Sequence, residues 1–189
     1  MSWPCSERVW RIVAAGGLLW GSVQGAFAGI RFNEILANPG GTDDSREFIE
    51  LYHDGGGVTV SGLWVLQVNG NSGSVGRVTE AWPISTTFGT NGLVLIGNNY
   101  ATAPKGGPWK DFVEAATRCI DPSGFGAGNV ANDSTTWLLV SAFSGAIGSD
   151  LDTNDDGTLD STPWTNLWDS VGWSDGDPDD RVYTTAALE

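Results

Sequence analysis

Apolar and polar residues in this chain come in short runs set between turn residues, and almost nowhere at helical spacing. "GIRFNEIL" (29–36) reads as a first strand, and "NPGGTDD" (38–44) after it is turn chemistry. In "REFIELYH" (46–53), Phe48, Glu50 and Tyr52 alternate with Glu47, Ile49 and Leu51. That period of two sends successive side chains to opposite faces of a strand. "DGGG" ends it, and "LWVLQVNG" (63–70) is a third strand. "VGRVTEAW" (75–82) is a weaker fourth, "GLVLIG" (92–97) a fifth and "TTWLLVSAF" (135–143) a sixth. "LWDSVGW" (167–173) is a late strand and "RVYT" (181–184) a last one. Only "WKDFVEAATRCI" (109–120) predicts a helix, with Phe112, Ala116 and Ile120 on one face. Short strands between Gly-, Ser-, Thr- and Asn-rich turns predict an all-β domain.

Composition adds where the chain is expected to reside. Residues 1–28 read as a secretory leader: Arg8 and Arg11 are basic, 12–23 are largely apolar, and Ala26-Phe27-Ala28 supplies the small residues of a cleavage site. The apolar run is shorter than the roughly 20 residues of a membrane span. The expectation is one secreted domain, 29–189, extracellular or on the cell surface, with no membrane span after leader removal. The chain carries 23 acidic against 9 basic residues, a net charge of −14. Ten aspartates and no Lys or Arg lie between Asp150 and Asp180. Phosphate binding needs cationic side chains, so nucleic acid is a poor partner. A divalent cation suits such a segment. Cys119 is the one cysteine outside the leader, and among its apolar neighbours it reads as a buried free thiol, the alternative being a bridge to another chain.

The stretch "IRFNEILANPGGTDDSREFIELYH…VTVSGLWVL" resembles the lamin-tail domain, an immunoglobulin-like β-sandwich of nuclear lamins and of secreted bacterial proteins. The matching residues are Asn33-Glu34-Ile35, Glu47-Phe48-Ile49-Glu50-Leu51-Tyr52 and Val60-Ser61-Gly62-Leu63-Trp64. "TWLLV" followed by "DSVGW" is similar to the family's closing strand pair. The resemblance covers about residues 30–176, weakly in the middle, and departs from the family's pattern at His53 and at "VLQVNG". It implies an immunoglobulin-like β-sandwich with an enlarged acidic loop, 144–166, before the last core strand. It also implies a non-catalytic adhesion, interaction or accessory module, with Glu34, Glu47 and Glu50 as structural strand residues.

The acidic loop holds the one ordered chemical motif. Counted from Asp152, it reads Asp152, Asn154, Asp156, Gly157, Thr158, Leu159, Asp160, the first nine places of the D-x-N-x-D-G-x-L-D calcium pattern. Calcium is a hard ion taking six to eight oxygens, and alternate short acidic or amide side chains aim them inward. Gly157 gives the sharp turn, Thr158 offers a carbonyl, and Leu159 pins the loop to the core. The twelfth place is Pro163, so the usual bidentate carboxylate is missing there. Asp150 or Asp169 is the substitute ligand. The expected Ca²⁺ ligands are therefore Asp150, Asp152, Asn154, Asp156, Thr158 and Asp160. The flanks read as loop and strand, which excludes an EF-hand, and the plain alternative is an Asx-rich turn. "SDGDPDD" (174–180) is a second acidic turn with no such order.

Other candidate chemistry is thin. His53 is the only histidine, set beside Gly55–Gly57 at a strand end, and no G-x-S-x-G elbow accompanies it. "GFGAG" (124–128) lacks the lysine and helix of a phosphate loop. Trp64 and Trp137 read as core, whereas Trp164, Trp168 and Trp173 flank the acidic loop. The expectation is a non-enzymatic module binding an extracellular protein or polysaccharide. The alternatives are a metal-dependent hydrolase built on the acidic loop and a carbohydrate-binding module using Trp164 and Trp168.

Overall fold

The computed structural model describes residues 8–11, 29–39, 46–98, 114–126, 128–184 and 187–188. Among them are ten strands and no helix. In chain order these are β1 (Arg8–Arg11), β2 (Ile30–Asn38), β3 (Phe48–His53), β4 (Thr59–Asn69) and β5 (Val78–Thr87). β6 (Leu93–Gly97), β7 (Arg118–Ile120), β8 (Thr135–Ser141), β9 (Asn166–Trp173) and β10 (Ala187–Leu188) follow. They form two sheets, ordered β1-β2-β3-β6-β7 and β10-β9-β8-β4-β5. The chain is all-β, and its two sheets are consistent with a β-sandwich.

The chain divides into two compact units, Met1–Val60 with Thr86–Val130, and Ser61–Ser85 with Ala131–Glu189. In the first, β2 and β3 run antiparallel with Ile35 opposite Ile49 and Glu34 opposite Glu50. The alternation along β3 sorts as its sequence predicts: Ile49, Leu51 and His53 are buried, Phe48, Glu50 and Tyr52 half-buried. Ile30, Phe32, Ile35, Val94 and Ile96 are among the other buried apolar residues of this unit. Glu47 is also buried, and its carboxylate accepts the N–H groups of Gly128 (2.8 Å) and Val130 (3.3 Å). A buried charge is tolerated when hydrogen-bonded in this way.

In the second unit β8 is central, antiparallel to both β4 and β9, and every residue of it is buried. One set of its side chains, Leu138 and Val140, packs with Leu66, Val68, Val78 and Leu151. Trp137 lies between Trp82 and Trp173, with ring centroids 6.1 and 6.5 Å away. A strand covered on both faces reads as a continuous apolar run, which "WLLV" is.

Three expectations are corrected. Of the helix expected over 109–120, residues 109–113 lie outside the described residues, 114–117 form a turn, and 118–120 are strand β7, parallel to β6. "RVYT" (181–184) is not a strand; β9 is paired instead by β10, in parallel. Cys119 and Trp64 are half-buried rather than core. Of the leader, only 8–11 are described, as β1; the apolar run and the cleavage motif lie outside the described residues.

Candidate metal site

The loop between β8 and β9 is anchored at both ends. Val78 N–H donates to Ser149 O (2.9 Å), Leu151 N–H to Gly76 O (2.9 Å), and Thr165 N–H to Ser141 O (3.0 Å). Leu151 is core, and Leu159 packs against the same cluster, as the eighth place of the motif predicts. Gly76, at φ +75°, lets Asp152 come close: a Cβ there would stand 2.7 Å from the Asp152 Cβ. Asp152 is therefore fully buried, an unusual place for a carboxylate.

Three donors offset that burial. Asp152 Oδ1 accepts the Asp156 N–H (3.2 Å), while Oδ2 accepts the Gly157 N–H (2.9 Å) and the Tyr183 hydroxyl (2.8 Å). The first place of the motif thus gathers the backbone of the fifth and sixth. Asp155 (φ 57°) and Gly157 (φ 88°) adopt the left-handed backbone that this tight winding requires. Burial, and then the bond and charge of Asp152, push the Tyr183 phenol pKa upward, so it stays a donor.

The remaining expected ligands are engaged locally. Asp150 Oδ2 lies 3.4 Å from Arg77 Nη2, and its Oδ1 accepts the Asp152 N–H (3.2 Å). Asn154 Oδ1 accepts the Asp156 N–H (3.1 Å), and its amide donates to Asp156 Oδ2 (3.1 Å). Asp156 Oδ1 accepts the Thr158 N–H (2.8 Å). Asp160 Oδ2 accepts from Thr153 N–H (2.9 Å) and Oγ1 (2.8 Å). Asp169, the other substitute ligand, is in β9 with Oδ1 on the Ser170 N–H (2.9 Å). The loop winds around the Asp152 carboxylate, and the carboxylates of Asp156 and Asp160 accept from N–H and O–H groups of the loop itself.

A different acidic group converges more closely. Asp175, Asp177 and Asp180 each bring a carboxylate oxygen within 4.8 Å of the other two, the one such group among the described residues. Asp175 and Asp177 are exposed, Asp180 half-buried. Ser134, fully buried immediately before β8, hydrogen-bonds Asp180 Oδ2 and lies 3.1 Å from Asp175 Oδ1. The Ser134 bond is the main cause holding the Asp180 pKa below its ordinary value. The acidic turn was visible in sequence, but Ser134, which gathers it, comes from 41 positions upstream of Asp175.

The other candidates find structural partners. His53 Nδ1 lies 2.9 Å from Gly55 O and 2.8 Å from Gly55 N, while Asp54 turns away to Arg31 Nη1 (2.8 Å). Trp164 packs against the core cluster around Leu138 and Val140, and Trp168 is half-buried. A small polar cleft of about 190 Å³ is lined by Gln67, Asn69, Thr79, Asp133, Ser134 and Thr135. Its Gln67 is already bonded at both ends, to Thr79 Oγ1 (2.7 Å) and by the Ala131 N–H (2.9 Å).

Fold and site together define an all-β chain of two sheets with an ordered acidic loop before its late strand. No family model, curated protein or solved structure matches it.

Proposed function

We propose that this chain is a secreted, non-catalytic binding or structural module of the lamin-tail type, and that calcium stabilises its 150–160 loop. The observation carrying the calcium reading is Asp152, a fully buried carboxylate at the first motif place that draws in the backbone of the fifth and sixth. The lamin-tail reading draws support from the placement of its motif residues on paired strands, Glu34 and Ile35 opposite Glu50 and Ile49. "TWLLV" and "DSVGW" likewise lie on the antiparallel pair β8 and β9. The non-catalytic reading is favoured by Asp54 turning to Arg31 and by Glu47 being spent on backbone N–H groups. The expected partner is an extracellular protein or polysaccharide.

A second reading places the ion at Asp175, Asp177 and Asp180, whose oxygens are already gathered. Thermal unfolding with calcium against chelator, at constant ionic strength, separates the two. Extracellular calcium modules bind at about 10⁻⁴ to 10⁻³ M, so the shift belongs at millimolar calcium. A hundredfold excess over Kd stabilises by about 2.7 kcal/mol, and each kcal/mol moves the melting point of a domain this size by about 2–4 °C. Asp156→Ala abolishing the shift assigns the loop, whereas Asp177→Ala abolishing it assigns the second group. Asp179→Ala, outside both, keeps it. An unchanged melting point leaves the loop as an acidic turn and sinks the calcium reading.

A further inference from the structure

We propose that the polar cleft beside the start of β8 binds one neutral hexose ring of an extracellular polysaccharide. The proposal rests on the binding-module reading and names its ligand; it uses neither acidic group. The cleft, about 190 Å³, has room for about six waters at about 30 Å³ each, the bulk of a single sugar ring. Its lining excludes other ligands. Among the described residues that form it there is no lysine or arginine, so a phosphate or a carboxylate finds no cation. Asp133 is its one carboxylate, where a divalent ion is held by several acidic oxygens. Ala131 is its one apolar residue, so a lipid or an aromatic molecule finds little to pack against.

Asn71 arranges the two groups that are left to bind. Its backbone N–H donates to Asn69 Oδ1 (2.7 Å), and its side-chain Nδ2 donates to Asp133 Oδ2 (2.7 Å). One residue of the turn after β4 thus holds the last residue of β4 and a residue of the segment before β8 at the same rim. The first bond also settles the Asn69 amide: with Oδ1 accepting, Nδ2 is the free end. Asn69 Nδ2 and Asp133 Oδ1 have no hydrogen-bond partner among the described residues. The other polar side chains of the cleft are engaged. Gln67 is bonded at both ends. Thr79 Oγ1 donates to Gln67 O (3.3 Å), Thr135 Oγ1 to Val68 O (3.1 Å), and Ser134 Oγ to Asp180. A hydroxyl serves both free groups at once, donating to Asp133 Oδ1 and accepting from Asn69 Nδ2. Its bond to the carboxylate is charge-assisted and the stronger of the two. The ammonium of a lysine side chain satisfies Asp133 alone, since it has no lone pair for Asn69. A sugar ring offers such hydroxyls on adjacent carbons.

The test is saturation-transfer NMR on the full chain with methyl glucoside, methyl galactoside and methyl mannoside, and with butylammonium as the lysine-like probe. At least one glycoside is expected to bind with a Kd in the millimolar range, as roughly a dozen non-hydrogen atoms allow. Butylammonium is not expected to bind. Asn69→Asp keeps the oxygen held by Asn71 and turns the free donor into an acceptor; Asp133→Asn turns the free acceptor into a donor. Each should weaken glycoside binding about tenfold or more, while Trp164→Ala leaves it unchanged. In the parent, glycoside should also shift the amide resonances of 69–71 and 131–135, a readout independent of how any variant folds. No binding by any glycoside, binding that both cleft variants retain, or shifts confined to Trp164 and Trp168 overturns the proposal. Butylammonium binding in place of the glycosides overturns it in favour of a basic protein segment. These outcomes leave the calcium experiment untouched. Release of methanol from a bound glycoside would overturn the non-catalytic reading and keep the cleft.

Discussion

A carboxylate inside an already acidic chain has to be compensated where it stands, and Asp152 shows how. Two loop N–H groups and the Tyr183 hydroxyl replace the water it loses. Tyr183→Phe removes one donor and keeps the ring, so unfolding in urea should show a loss of about 1–3 kcal/mol. A loss near zero would mean that water replaces the hydroxyl. Glu50 poses the opposite case, since its carboxyl is half-buried and its pKa is raised above 4.5, with burial as the main cause. The folded chain therefore binds this proton more tightly than the unfolded chain. Its penalty is absent below about pH 4.5, grows as pH rises through the folded value, and is complete above it. Glu50→Gln keeps the oxygen that accepts from Asn33 Nδ2 (2.5 Å) and discards the charge. It should be more stable than the parent at pH 7, with the two converging below pH 4.5; a gap that persists at pH 4 would contradict the burial argument. Asp180, with a lowered pKa, has the reverse sign: its contribution is present above 3.8 and lost as pH falls through its folded value.

At the level of elements, the turn preceding β5 and the acidic loop hold each other. Gly76 has φ +75° and no room for a Cβ beside Asp152, so Gly76→Ala meets both backbone strain and a clash. The expected cost is about 1–3 kcal/mol for the strain alone, read from the shift in urea midpoint. Gly73→Ala, also at positive φ but facing open space, should cost less, and equal losses would remove the clash from the explanation. The same local logic decides what could be read from sequence. β3 and β8 were legible because alternation or a continuous apolar run is written into consecutive residues. The winding of the acidic loop was legible because Asx side chains bond backbone two to five positions on. Residues 118–120 misled because helical spacing at Phe112, Ala116 and Ile120 says nothing of the parallel pairing that β6 offers. "RVYT" misled because its polar contacts go elsewhere: Arg181 N–H to Gly70 O (2.9 Å), Tyr183 N–H to Thr136 Oγ1 (2.9 Å). Tyr183 as the partner of Asp152, and Ser134 as the organiser of Asp175 and Asp180, are contacts over 31 and 41 or more positions. No local pattern encodes them.

Across the whole molecule, the excess of acid is a stability term of its own. A net charge of −14 with a pI near 4.1 means that like charges repel throughout the neutral range. The repulsion is concentrated, since ten aspartates fall between Asp150 and Asp180 without a Lys or Arg among them. Monovalent salt acts on this without binding any site, because the screening length falls from about 30 Å at 0.01 M to about 10 Å at 0.1 M. The urea midpoint should therefore rise between 10 and 500 mM sodium chloride, by on the order of 1 kcal/mol in stability. Asp177→Asn takes one charge from the tightest group, where the three carboxylate oxygens lie within 4.8 Å, and should weaken that salt response. Asp54→Asn removes the partner of Arg31 instead, and should leave it larger or unchanged. The comparison also calibrates the calcium experiment: stabilisation by calcium beyond this monovalent curve at matched ionic strength, and not reproduced by magnesium, belongs to a site. A salt response that Asp177→Asn leaves intact would show that the repulsion is spread over the surface and not focused on the 175–180 turn.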